Sequence, residues 1–210
     1  VTRRFDVIDR RTRPAGVSAA AAAARRGRVV LLPTESMYAL LTDAFSAAGV
    51  AAVRALKGRS EQAALPVAVS SLSMLRGVGE RLTPAGQHLV QAFWPGPLTI
   101  VCRQQPSLAW AAGGTGRALT VRMPLHPLAL DVIAAVGPSV LIGADSPHDR
   151  EPSADAAGID VVLDAGSVPD AGTPSTVVDV RTDPPVLLRE GALSHDRLCS
   201  VVPEVGRTDT

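Results

Sequence analysis

A single lysine, Lys57, stands among 20 arginines in this chain of 210 residues. It belongs to the triplet Lys57-Gly58-Arg59. Lysine is a compact point charge, whereas arginine is a planar fork that meets an anion with two bonds. Side by side they suit an anion clamp. The triplet is equally readable as a helix end whose cations complement the helix dipole. Arg122 is the next cation of interest, because it interrupts an apolar strand pattern just ahead of Met123-Pro124. A charge there needs a structural counter-ion or a ligand. Hydroxyls form a third group. Thr34 and Ser36 follow an apolar strand directly, where α/β proteins place ligand loops, and Ser175 lies in Gly172-Thr173-Pro174-Ser175-Thr176. Each hydroxyl set also fits an ordinary turn. Arg189-Glu190-Gly191 closes a strand, and an Arg beside a Glu is by itself a surface pair of little energetic worth. His88, His126, His148 and His195 show no metal-ligand spacing, so no metal site is expected.

These residues need elements to position them. Val29-Val30-Leu31-Leu32 has no polar alternation and reads as a strand covered on both faces. An Ala-rich helix over 17–26 precedes it, with Gly27 as its stop. Ser46 is placed to cap the following helix, whose Val50, Val53 and Leu56 fall on one side. Strands are expected over 65–69, 98–101, 118–123, 140–142, 161–163, 176–180 and 186–188. Thr83-Pro84 is a helix start, Trp94-Pro95-Gly96-Pro97 a rigid loop, and 127–136 an amphipathic helix ended by Gly137-Pro138. Gly113, Gly114 and Gly116 mark a turn, 143–153 a polar loop, and 194–201 a last short helix. Residues 1–14 are expected as an N-terminal arm or edge strand, 15–201 as one domain, and 202–210 as a frayed tail. Intermixed strands and helices give an α/β or α+β class around one sheet.

Composition narrows the function. An apolar fraction of 46% suffices for a full core and argues against general disorder. A formal net charge of +1 gives no bulk attraction to nucleic acid or anionic membrane, so any basic function must be a local patch. Cys102 and Cys199 fit neither a disulfide framework nor a zinc spacing, and Cys102 reads as a buried hydrophobe. No apolar run reaches the roughly 20 residues of a membrane span. A cytoplasmic location is expected.

Taken in order, six motifs carry a resemblance. Pro33-Thr34-x-Ser36-x-Tyr38, Lys57-Gly58-Arg59 and Phe93-Trp94-Pro95-Gly96-Pro97-Leu98-Thr99 come first. Val121-Arg122-Met123-Pro124, Pro174-Ser175-Thr176-Val177-Val178-Asp179 and Leu188-Arg189-Glu190-Gly191 follow. The chain resembles the YrdC-like family of threonylcarbamoyl-AMP synthases in its short form, over most of its length. The resemblance implies a single-domain twisted mixed sheet flanked by helices, with a basic concave cavity. It implies a nucleotidyltransferase reaction in which ATP, L-threonine and bicarbonate give threonylcarbamoyl-AMP and pyrophosphate, for threonylcarbamoyladenosine modification of tRNA. By position, Thr34 and Arg122 would hold threonine, with a contact from Ser175, and Tyr38 would line the pocket. Lys57 and Arg59, the expected catalytic pair, would contact ATP phosphates together with Arg189. Gly143 and Asp145 would border the nucleotide, and Mg²⁺ would ride on it. Expected partners are tRNA or tRNA-modification proteins, and no membrane.

Four departures stand out against the family pattern. Ala39 replaces the usual glycine after Tyr38, and Ala63-Ala64-Leu65 stands where the family commonly has a second lysine before Pro-Leu. Gly143-Ala144-Asp145 stands where the family has Ser-Ala-Asn, and the loop 146–150 lacks the usual Ser-Gly. An aspartate facing a triphosphate repels it unless a metal intervenes. Two alternatives therefore stay open: a paralogue that binds nucleotide or RNA without synthesis, and a carbamoyl-adenylate enzyme with another substrate.

Overall fold

The computed structural model describes residues 1–113, 117–144, 157–168 and 173–208. Its strands are β1 (Arg3–Asp6), β2 (Val29–Pro33), β3 (Tyr38–Asp43), β4 (Val67–Ala68), β5 (Leu98–Arg103), β6 (Ala118–Arg122), β7 (Ser139–Gly143), β8 (Ile159–Asp164), β9 (Thr176–Asp179), β10 (Val186–Arg189) and β11 (Gly206–Arg207). The helices are α1 (Arg13–Arg25), α2 (Ala47–Leu56), α3 (Leu72–Val78), α4 (Pro84–Phe93), α5 (Pro127–Val136) and α6 (His195–Cys199). All described strands join one mixed sheet in the order β1-β8-β2-β3-β7-β4-β6-β5-β9-β10-β11. The expected α/β class holds.

Every residue of β2 is buried, as its unbroken apolar run requires. Two apolar layers account for this. On one face α1 and α5 pack against Val30, Leu32, Leu41 and Leu163. The alanines of α1 leave room for α5 and the strands to come close. On the other face Val50 and Val53 of α2 and Leu89 and Val90 of α4 meet Val29, Leu31, Ile100 and Val121. Burying each such side chain contributes about 1.5–3 kcal/mol.

The caps lie where the side-chain chemistry puts them. Ser46 Oγ accepts from Gly49 N at 3.2 Å, and Thr83 Oγ1 accepts from Gly86 N at 3.1 Å. Gly27 ends α1 with φ +72°, a conformation that costs glycine little.

Several boundaries differ from expectation. Of the two readings of the first segment the edge strand is the one seen, because β1 pairs in parallel with β8 along the sheet edge, but α1 starts as early as Arg13. The tail is tied down through β11, which pairs with β10. β3 and α3 were not anticipated. β3 continues an apolar run with no alternation of its own, and α3 is only 7 residues long. Leu56, expected in the core, is 41% exposed because α2 ends there. Among the described residues no helix is long and apolar enough to cross a membrane.

Candidate functional site

Arg122 is the last residue of β6, where it pairs with Thr99 of β5 on one side and Ala68 of β4 on the other. Strand alternation sends Val121 into the core and Arg122 to the opposite face. Its Nη2 donates to Glu35 Oε1, and Glu35 Oε2 accepts from the Leu125 backbone N–H at 3.2 Å. The two side chains are only 15% and 18% exposed. The Nε–H of Arg122 is buried with no partner among the described residues, and so is Nδ1 of neighbouring His126. Burial holds the His126 imidazole below its ordinary value, although the Glu35 carboxylate pulls the other way.

Ser175 immediately precedes β9, which runs parallel to β5 with Leu98 opposite Thr176. That register brings Ser175 Oγ to 2.8 Å from Thr99 Oγ1, and Thr99 in turn lies opposite Arg122. Arg189 closes the group by donating from Nη2 to Ser175 O at 2.8 Å. Three local features fix this geometry. The Trp94-Pro95-Gly96-Pro97 loop is stitched to both sides: Gly96 N donates to Met123 O at 2.9 Å, and Thr176 N donates to Pro97 O at 3.0 Å. Thr176 Oγ1 accepts from Gly191 N and Leu193 N at 3.0 and 2.9 Å. Gly191 lies so close to the preceding loop that a Cβ there would be 2.1 Å from Pro174 O.

The second group is built around Lys57. It caps the C-terminus of α2, and Gly58 follows with φ +57°. Lys57 Nζ donates to Gly143 O at 2.7 Å. Gly143 ends β7 opposite Ala39 of β3, and Ala144 N donates to Tyr38 O at 3.1 Å. Arg59 is exposed, with its backbone N–H held by Arg54 O at 2.9 Å. Asp145 and the loop 146–150 lie outside the described residues. Ala39 is an ordinary strand residue with no positive φ, so the missing glycine costs the backbone nothing there.

The turn 34–37 joins the two groups. Its Glu35 reaches Arg122, and Tyr38 at its end meets Ala144. Thr34 closes the turn twice, with its N–H and its Oγ1 both donating to Met37 O at 2.8 and 2.7 Å. Thr34 is only 3% exposed and Tyr38 not at all. The Tyr38 hydroxyl donates to Gly166 O at 2.8 Å and accepts from Ala165 N at 2.9 Å. Within the described structure these two side chains shape the turn and its support from beneath. Ser175 is bonded to Arg189 and, through Thr99, lies next to Arg122, while Lys57 and Gly143 are bonded to each other in a second group. Glu35 and Thr99 were not singled out from sequence, although both lie inside motifs that were. No spacing rule links Glu35 to Arg122 across 87 residues.

This arrangement has known relatives. The family profile for Sua5, YciO and YrdC proteins, described as "Telomere recombination", matches residues 22–191. A Mycobacterium tuberculosis protein assigned provisionally as a threonylcarbamoyl-AMP synthase is 35% identical over 210 residues, covering 96% of each chain. The threonylcarbamoyl-AMP synthase of Pyrococcus abyssi is 31% identical over 189 residues, 86% of this chain and 55% of its own. Among solved structures, P. abyssi Sua5 complexed with L-threonine superposes with TM-score 0.81 at 27% identity, covering 99% of this chain and 62% of that one. The chain thus spans under two thirds of that protein's length. Escherichia coli YciO, at TM-score 0.72 and 20% identity over 91% of this chain and 94% of its own, shares the fold. The chain belongs to the YrdC/Sua5-like threonylcarbamoyl-AMP synthase family.

Proposed function

We propose that the chain forms threonylcarbamoyl-AMP from ATP, L-threonine and bicarbonate, with release of pyrophosphate, as a step toward threonylcarbamoyladenosine in tRNA. The observation that carries this reading is Arg122: a shielded guanidinium with one buried N–H that has no partner among the described residues, beside the Ser175–Thr99 hydroxyl pair. A planar cation next to hydroxyls suits the α-carboxylate of a small hydroxy-amino acid. The P. abyssi relative, whose structure was solved with L-threonine, supports the same ligand.

The amino nitrogen of threonine adds to the carbon supplied by bicarbonate, and water leaves, to give N-carboxythreonine. A carbamate oxygen then attacks the α-phosphorus of ATP, and the bond to pyrophosphate breaks. The chain contributes positioning and charge neutralisation more than acid–base work. Lys57 and Arg59 supply positive charge at the phosphate side, and Arg189 joins them from the Ser175 side. Gly143 and the segment carrying Asp145 border the nucleotide, and Mg²⁺ arrives with the triphosphate as part of the substrate. A separate transferase would take the product, in a cytoplasmic setting.

Gly143-Ala144-Asp145 favours a second reading, in which the site binds nucleotide or takes another amine. Pyrophosphate release decides between them. Release that depends on both L-threonine and bicarbonate, and is lost in Lys57→Ala, is the expected result. Release no higher than that of Lys57→Ala, with ATP still bound, overturns the synthase reading.

A further inference from the structure

We propose that Glu35 is an internal competitor for Arg122, a carboxylate that holds the substrate's place in the empty site and must be displaced when substrate binds. The inference rests on the carboxylate site proposed above. Glu35 meets the guanidinium as a substrate carboxylate would, one oxygen on Arg122 Nη2 and the other on a backbone N–H, that of Leu125. The guanidinium is nonetheless incompletely satisfied, because its Nε–H is buried with no partner among the described residues. A buried unmade hydrogen bond is costly, so that donor is available to an incoming carboxylate.

Glu35 is also mounted where it can move. It lies in the turn 34–37, whose ends are fixed by the bonds from Thr34 to Met37 O. Those bonds do not involve the Glu35 side chain, so that side chain can leave Arg122 while the turn stays closed. His126, beside Leu125, has a buried Nδ1 with no described partner and feels the Glu35 charge.

Competition has a signature that a purely structural ion pair lacks. Neutralising Glu35 removes a partner from the empty state only, so stability falls while affinity for the substrate carboxylate rises. A structural pair that merely holds Arg122 in place gives losses in both.

Calorimetric titration with L-threonine, and with threoninol, which has no carboxylate, tests this. Glu35→Gln keeps the side chain's shape and is expected to bind L-threonine about tenfold tighter, roughly 1.4 kcal/mol. Its melting temperature should fall and its threoninol affinity should stay unchanged. Glu35→Ala should behave likewise. Glu35→Asp, charged but one methylene short, covers the case of poor folding, with an expected gain of about threefold. Unchanged or weaker L-threonine binding in the folded Glu35 variants overturns the competitor, as does an equal gain for threoninol. Arg122→Gln separates the two levels. If it binds L-threonine as well as the parent chain, the carboxylate site itself is wrong. If it loses binding while the Glu35 variants show no gain, only the competitor falls.

Discussion

The two cationic groups of the site are held in opposite ways. Arg122 projects from a strand between two others, is mostly buried, and has a counter-ion whose second oxygen is fixed by backbone. The loops around it are stitched by Gly96, Thr176 and Gly191. Lys57 and Arg59 instead straddle a glycine at the end of a helix, where Lys57 grips a backbone carbonyl and Arg59 is exposed. The difference matches the two ligands proposed for them. A small, rigid amino acid gains from a preorganised socket, because a misplacement of about 1 Å there is expensive. A long, flexible polyphosphate tolerates mobile point charges and is met mainly through net charge.

The largest expected effect follows directly. Arg122→Gln should lower kcat/KM for threonine by about a hundredfold, in line with roughly 3 kcal/mol for a lost hydrogen bond between charged groups. Arg59→Gln should raise KM for ATP by only about tenfold, because an exposed cation is one contributor among several. Steady-state kinetics in each substrate checks both. A larger penalty for Arg59→Gln than for Arg122→Gln would reverse the comparison.

The same contrast is expected in stability. Gly191→Ala forces a methyl into the Pro174 carbonyl and should cost about 1–3 kcal/mol. Gly58→Ala meets no atom within 4 Å, so only its φ of +57° resists, at a cost of about 1 kcal/mol. Thermal melts of the two variants rank the socket against the clamp. Gly58→Ala melting below Gly191→Ala would show that the stitched loops around Ser175 are looser than their hydrogen bonds imply.

Much of this frame was readable from single residues, and the part that was not has a physical reason. Ser46, Thr83 and Gly27 act within a turn of their own helices, so local chemistry fixes them. Tyr38-Ala39-Leu40-Leu41 gave no period because it is buried on both faces, and so β3 went unread. Ser175, Arg122 and Arg189 were found by motif. Thr99, which links Ser175 to Arg122, emerges only from strand register. Glu35 was legible least of all. A lone carboxylate in a turn has no signal until the fold brings Arg122 to it.

Farther along β5 from Thr99, Cys102 supplies a test of the core behind the socket. Burial pushes its thiol up to about 12, with the Asp179 charge adding to the effect. Its folded pKa exceeds the unfolded value, so its contribution to stability is complete below about pH 8.5 and is lost as pH rises toward 12. Urea midpoints measured at pH 8 and 10.5 should fall further for the parent chain than for Cys102→Ala. Equal falls would mean that this thiol is less enclosed than its 2% exposure indicates.

The smallest effect isolates the socket's finest feature. Thr99→Val keeps the β-branched shape that suits β5 but removes the hydroxyl paired with Ser175. Ser175 Oγ is then free to turn, at a cost of about 1 kcal/mol, or roughly fivefold in KM for threonine. KM for ATP should not change, because no described bond links Thr99 to Lys57, Arg59 or Gly143. A rise in both constants would couple the socket to the clamp, through the turn 34–37 that touches both groups. A rise in neither would leave Ser175 held by Arg189 alone, through its backbone carbonyl, and would shift the hydroxyl's role from orienting threonine to closing the strand.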